Sequence, residues 1–162
     1  MRKSVFIKIF AGYVLLTCLV AGAVFFLTFR IARQQYEKNL TTELEKFCNV
    51  LLLSVEPLAE QGRSAELDAL LKKLDPSIDT RITVIDSKGI VLADSERDPA
   101  GMENHLTRPE MLIALHGATG TSIRYSTTVQ QDMLYVAVPL RKGQNITGVL
   151  RTSLFMHGID RM

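Results

Sequence analysis

The chain has 162 residues, 47% of them hydrophobic, and 19 basic against 17 acidic side chains give a net charge of +2. The interspersed charge forms neither a basic stripe nor an acidic tail, so nucleic acid is not indicated as a partner. The two cysteines, Cys18 and Cys48, stand 30 residues apart, roughly 45 Å along a continuous helix, which excludes a disulfide within the chain and any zinc-type spacing. Cys48 is read as a buried free thiol, the alternative being a cross-link between two subunits.

Ile9 to Phe29 contains no Asp, Glu, Lys, Arg or His. A hydrocarbon core about 30 Å thick needs roughly 20 such residues in a helix, so this run reads as a membrane span. Arg2, Lys3 and Lys8 precede it without an acid, which keeps the N-terminus in the cytoplasm and puts the bulk of the chain outside; Arg30 and Arg33 pull the other way. Ala21-Gly22-Ala23 resembles a signal-peptide cleavage site, yet the apolar run continues through Val24, Phe25, Phe26 and Leu27, so a retained anchor is preferred.

Beyond Arg30 there is no Gly or Pro until Pro57, and Leu40, Leu44, Phe47, Leu51, Val55 and Leu58 recur at helical spacing. The helix is expected to continue out of the membrane to Glu60. Its apolar stripe either packs on its own domain or forms a parallel dimer seam through Leu40, Leu44, Phe47, Leu51 and Val55, and the seam is preferred. Gln61-Gly62-Arg63-Ser64 ends the helix, with Ser64 as N-cap of a short second one carrying Leu67, Leu70, Leu71 and Leu74 and closed by Asp75-Pro76.

The texture then turns β-branched. Ile82 to Ile85, the turn Asp86-Ser87-Lys88-Gly89, and Ile90 to Ala93 form a hairpin. A polar stretch from Ser95 to Thr107 leads to a helix that runs to about His116 and stops at Gly117. Its cap is either Thr107, in a capping box with Glu110, or Arg108 with Pro109 at the first helical position. Strands at Thr121–Val129, Met133–Leu140 and Ile146–Leu154 follow. The fold class is α+β: a spanning helix continuing into a long helix, then a five-stranded antiparallel sheet with helices on one face.

Catalytic and metal motifs fail by inspection. G-x-S-x-G, H-E-x-x-H and the phosphate-loop patterns are missing from the sequence, and the three histidines are scattered. Asp94, Glu96 and Asp98 alternate as in a calcium loop, but Pro99 replaces its Gly and His105 its Glu; a solvated turn is expected there. What stands out is Asn104, His105 and Arg108 before a helix start, then Arg124-Tyr125-Ser126 on one strand and Tyr135 on the next. Guanidinium forks near a helix start suit a small anion, so His105, Arg108, Arg124, Tyr125 and Tyr135 are the candidate ligand residues. Against this, Arg108 can pair with Glu103 or Glu110, Arg124 can lie on an exposed face, and the tyrosines can simply finish the core.

Arg81-Ile82-Thr83-Val84-Ile85-Asp86, Gly89, Val91-Leu92-Ala93-Asp94-Ser95, Met102-Glu103-Asn104-His105, Arg108-Pro109-Glu110, Arg124-Tyr125-Ser126 and Tyr135-Val136-Ala137 together resemble the extracytoplasmic sensor region of phosphate-regulon-type sensor histidine kinases, over Thr80 to Leu154. The resemblance implies a PAS-like or Cache-like fold, a homodimer in the inner membrane, and signalling to a response regulator. It also implies a kinase region beyond Met162 that holds the catalytic residues and would use ATP and Mg; no cofactor or metal is expected in this chain. On this basis residues 1–8 are a cytoplasmic leader, 9–29 the span, 30–79 a helical dimerisation and signalling region, 80–155 the sensor domain and 156–162 the approach to a second span. The signal is then a small anion or a membrane transporter. Single-span adaptor, chemoreceptor and cyclase front ends are the alternatives, and an enzyme acting alone ranks below them.

Overall fold

In the computed structural model, residues 2–74, 80–126 and 131–156 are described, residues 2–4 by their backbone only. The expected helix stop at Asp75-Pro76, the far end of a strand at Val129 and the approach to a second span at Gly158 to Arg161 lie outside them. The chain divides into two compact units, Met1–Asn39 and Leu40–Met162.

Helix α1 (Arg2–Glu60) is assigned without interruption, as the absence of Gly and Pro around Phe29 to Arg33 demands. Its N-terminal part is long and apolar enough to cross a membrane. Pro57 lies in the last turn, where it has no amide to give the Leu53 carbonyl, and the helix ends three residues later. The helix ends in a Schellman motif. Gly62 adopts φ 68°, its amide donates to the Ala59 carbonyl at 3.1 Å and the Arg63 amide donates to Leu58 at 3.0 Å. Helix α2 (Ser64–Lys72) follows directly. Its cap is Arg63, without a side-chain cap, so the expectation of Ser64 as N-cap is corrected: the tight turn at Gly62 already places Ser64 inside the helix. Arg63 pairs instead with Glu66 in the first turn.

Five strands form one antiparallel sheet: β1 (Thr80–Asp86), β2 (Val91–Asp94), β3 (Gly120–Ser126), β4 (Gln131–Lys142) and β5 (Asn145–Phe155), in the order β2-β1-β5-β4-β3. β1 and β2 are the expected hairpin, and β3 to β5 the expected meander. The register aligns Val84 with Leu150 and Leu150 with Val138, so one face carries Ile82, Val84, Leu150, Val138 and Leu140. Cys48 and Val55 of α1 and Leu67 and Leu71 of α2 close over it.

The helices were expected on one face only; they occupy both. Helix α3 (Pro109–Leu115) packs Met111 and Ala114 against Ile85, Val91, Ala137 and Val149 on the opposite side. The reason lies in β4, which is buried continuously from Met133 to Val138 and so needs cover on two sides rather than one. The α3 cap is Arg108 with Pro109 at the first position, and the Thr107 capping box does not form.

The stripe expected at a dimer seam is occupied within the chain. Leu44 is buried against Leu134 and Val136, with Leu40 beside it, while Val55 is fully buried and Phe47 and Leu51 pack on the same core as Cys48. Cys48 is a free, buried thiol whose Sγ lies 3.4 Å from Thr152 Oγ1.

Two stability predictions follow from this packing. Leu150→Ala is expected to lower the unfolding free energy by about 3 kcal/mol in a denaturant titration, because it opens a cavity between sheet and α1. Burial pushes the Cys48 thiol up from 9.0 to about 11. The folded state therefore holds that proton more tightly: its contribution is complete below pH 9.0 and is lost as pH rises through about 11. Melting curves across that window should fall for the wild type and flatten for Cys48→Val.

Candidate ligand-binding site

On the α3 side of the sheet, alternation and register together build a polar wall. Residues two apart on a strand share a face, and Arg81 lies opposite Ser153, Ser153 opposite Tyr135, and Tyr135 opposite Ser122. The neighbouring row runs Thr83, Arg151, Ala137 and Gly120, and Arg124 pairs with Met133. Small residues at Ser122, Ala137 and Gly120 leave room for the large ones. A cavity of about 590 Å³ opens over this wall, lined by Arg81, Arg124, Arg151, Tyr135, Met133 and Ser153 from strands and by Met102, His105 and Arg108 from the crossing segment.

The crossing segment is held by the β1–β2 turn. Asp86 Oδ1 accepts from the amides of Lys88 and Ile90 at 2.8 Å each, and Gly89 takes φ 83°. The Gly89 carbonyl accepts from the His105 amide at 2.9 Å, and Asn104 Nδ2 donates to the Lys88 carbonyl at 2.8 Å. A Cβ on Gly89 would meet Asn104 Oδ1 at 2.3 Å, so the glycine is required for the approach that positions His105. Gly120 does the same for α3: a Cβ there would lie 2.0 Å from the Glu110 carbonyl oxygen.

The charges of the wall are unequally satisfied. Arg81 donates through Nε to both oxygens of Asp94, at 3.0 and 3.1 Å, and Thr83 Oγ1 and the amides of Glu96 and Arg97 also donate to Asp94. The acidic triplet thus corrects to one buried anchor, Asp94, with Glu96 and Asp98 exposed; its partners are a guanidinium, a hydroxyl and amides. Arg108 is paired with Glu103 at the rim. Arg124 and Arg151 share one oxygen of fully buried Glu110, at 3.4 Å each. Arg124 lies 4.0 Å from the Tyr135 ring centroid and Arg151 5.2 Å from it, both within cation–π range. Burial lowers the Arg151 pKa while Glu110 works to raise it. His105 is held down to about 4 by burial first, then by the positive fields of Arg151, Arg108, Arg81 and Arg124, so it faces the cavity as a neutral imidazole.

All five candidate ligand residues line the cavity: His105, Arg108, Arg124, Tyr125 and Tyr135. Tyr125 is at the margin, 57% exposed and on the alternate side of β3 from Arg124. The α3 N-terminus contributes less than expected, because a helix of 7 residues sums few peptide dipoles. Sequence reading missed Arg81, Arg151 and the burial of Glu110. A partial signal was available, since Arg81 precedes the β-branched run Ile82 to Ile85 and Arg151 follows Val149 and Leu150 within a strand.

The chain belongs to the Single Cache-like family, whose sequence profile matches residues 34–154. Among solved structures it is similar to the sensor domain of the histidine kinase DctB from V. cholerae, at 18% identity and a TM-score of 0.58 over 80% of this chain and 57% of that one. It is also similar to the ligand-binding domain of the Pseudomonas fluorescens chemoreceptor CtaA in complex with L-alanine (16%, TM-score 0.57, 74% and 54%). A third is the ligand-binding domain of the Pseudomonas aeruginosa PAO1 amino acid chemoreceptor PctC in complex with GABA (17%, TM-score 0.51, 77% and 58%). The chain thus spans little more than half the length of these structures, and at such identities the likeness establishes the fold. No curated protein matches the sequence.

Because folding depresses the His105 pKa from 6.5 to about 4, the unfolded chain binds more protons in that interval. Stability is complete above pH 6.5 and declines as pH falls toward 4, by up to about 3 kcal/mol. Melting temperature followed from pH 7 to 4 should show this slope in the wild type and lose it in His105→Gln.

Proposed function

We propose that this chain is the input half of a membrane-bound, homodimeric sensor histidine kinase, with α1 crossing the inner membrane, the N-terminus cytoplasmic and the sheet domain outside. Arg2, Lys3 and Lys8 ahead of an uncharged run support that orientation. The ordered resemblance over Thr80 to Leu154 supports the phosphate-regulon type, with a response regulator as the downstream partner and ATP and Mg used only by a kinase region outside this chain. The cavity over the α3 face receives a small anion.

The observation that carries this reading is the geometry of β5. Arg151 faces the cavity, and the next residue, Thr152, faces α1 and meets Cys48. A ligand that favours one position of Arg151 therefore biases the seating of α1, which is the two-state coupling a sensor needs. Val50 and Leu53, 65% and 79% exposed on the side of α1 away from the sheet, provide apolar surface for the dimer.

Chemoreceptor function is the second reading, favoured by the likeness to CtaA and PctC, whose structures hold L-alanine and GABA. Two measurements test the dimer and the coupling that both readings require. In a background lacking native cysteines, Val50→Cys or Leu53→Cys in membranes should give disulfide-linked dimers and Leu44→Cys should not; monomers throughout would remove the dimer from the proposal. Fused to a histidine-kinase transmitter region, the chain should set an autophosphorylation level that Arg151→Ala shifts several-fold. An output indifferent to Arg151 would favour an adaptor that docks to a membrane partner such as a transporter.

A further inference from the structure

Two acids are fully buried on the cavity side of the sheet, Asp94 and Glu110, and they are satisfied very differently. Asp94 has its own guanidinium, a hydroxyl and two amides. Glu110 offers one oxygen to two arginines at 3.4 Å, roughly half an ångström longer than an optimal charge-assisted bond, and its second oxygen has no partner among the described residues. The Nε groups of Arg124 and Arg151 are likewise buried and without a partner. Arg151 itself is only 3% exposed and lines the cavity.

The charge count on this wall is simple. Arg81 is matched by buried Asp94, with solvent-exposed Glu96 3.9 Å away, Arg108 is matched by Glu103, and Arg97 and Asp98 are both exposed to solvent. Two guanidinium groups then face the single carboxylate of Glu110, leaving one positive charge at the cavity wall, shared between buried Arg151 and half-buried Arg124. Resting on the reading of this cavity as a ligand site, we infer that Glu110 sets the charge of the ligand: the cavity takes a small monocarboxylate that completes a pair of carboxylates across Arg124 and Arg151. The apolar body of such a ligand has Met102, Met133 and the edge of Tyr135 to lie against. A second ligand charge would give up hydration at the wall without meeting a countercharge there, which is costly. Glu110 is thus a specificity residue acting through the arginines.

The test uses the full chain in detergent micelles, with butyrate, succinate and inorganic phosphate at constant ionic strength and melting temperature as the readout. For the wild type, butyrate should stabilise at a half-saturating concentration about tenfold lower than succinate or phosphate, equivalent to roughly 1.4 kcal/mol. Glu110→Gln, which leaves two uncompensated guanidinium groups, should reverse that order, and Arg124→Gln should abolish the butyrate effect. Equal or stronger binding of the dianions by the wild type overturns the inference even if Glu110→Gln does not fold. Binding indifferent to ligand charge, yet lost in Arg124→Gln, overturns the charge rule and leaves the ligand site standing. No stabilisation by any of the three anions overturns both.

Discussion

A β-strand sends consecutive side chains to opposite faces, and the organisation of this domain depends on β5 sitting in the middle of the sheet while doing so. Leu150 and Thr152 belong to the face that α1 and α2 cover; Val149, Arg151 and Ser153 belong to the other. One strand therefore carries a piece of the apolar core and a piece of the cavity wall, one residue apart. Neither can shift along the strand without the other, since a slip by one residue would exchange core for wall. The cavity and the long helix thus meet the same strand at consecutive residues although they lie on opposite sides of the sheet.

The second constraint is electrostatic. A guanidinium as buried as that of Arg151 has to be met by charge, and Glu110 and the Tyr135 ring meet it only in part. Arg124 draws on the same two groups. The wall is held together by a shared, under-filled set of interactions, in contrast with the saturated Asp94 anchor beside it. His105 completes the picture, since burial, and then the same positive field that would attract an anion, keep its imidazole uncharged.

The precision of this wall comes from glycines placed where backbone passes close to backbone. Gly89 lets the β1–β2 turn take the crossing segment by its His105 amide, and Gly120 lets β3 lie against the first turn of α3, where Glu110 sits. Gly89 thereby fixes His105, which lines the cavity, and Gly120 fixes Glu110, which holds two of the lining arginines. The domain-covering part of α1 combines an apolar stripe with three polar ties: Glu45 accepts from Thr119 Oγ1, Glu56 accepts from the Arg141 amide, and Cys48 meets Thr152.

Much of the architecture was legible in local pattern. An uncharged run of bilayer length, a helix free of Gly and Pro from Arg30 to Glu56, a β-branched hairpin around Asp86 to Gly89 and three strands after Gly117 all follow from short-range preferences, which the tertiary fold had no reason to override. Candidate residues at the cavity could be picked out because His105 and Arg108 sit in or beside an irregular segment, where binding groups tend to gather, and Arg124 adds a guanidinium on a strand that follows. What the sequence could not decide was partnership. Whether the stripe from Leu40 to Val55 meets a second subunit or its own sheet depends on distant residues such as Leu134 and Val136. Whether α3 lies over the same face as α1 depends on how many sides β4 needs covered. Arg81 and Arg151 stand 70 positions apart in the sequence and come to one wall only through the register of β1 against β5. Periodicity and composition are properties of neighbours along the chain and fixed the elements; charge pairing and burial are properties of neighbours in space, and only the folded sheet could assign those.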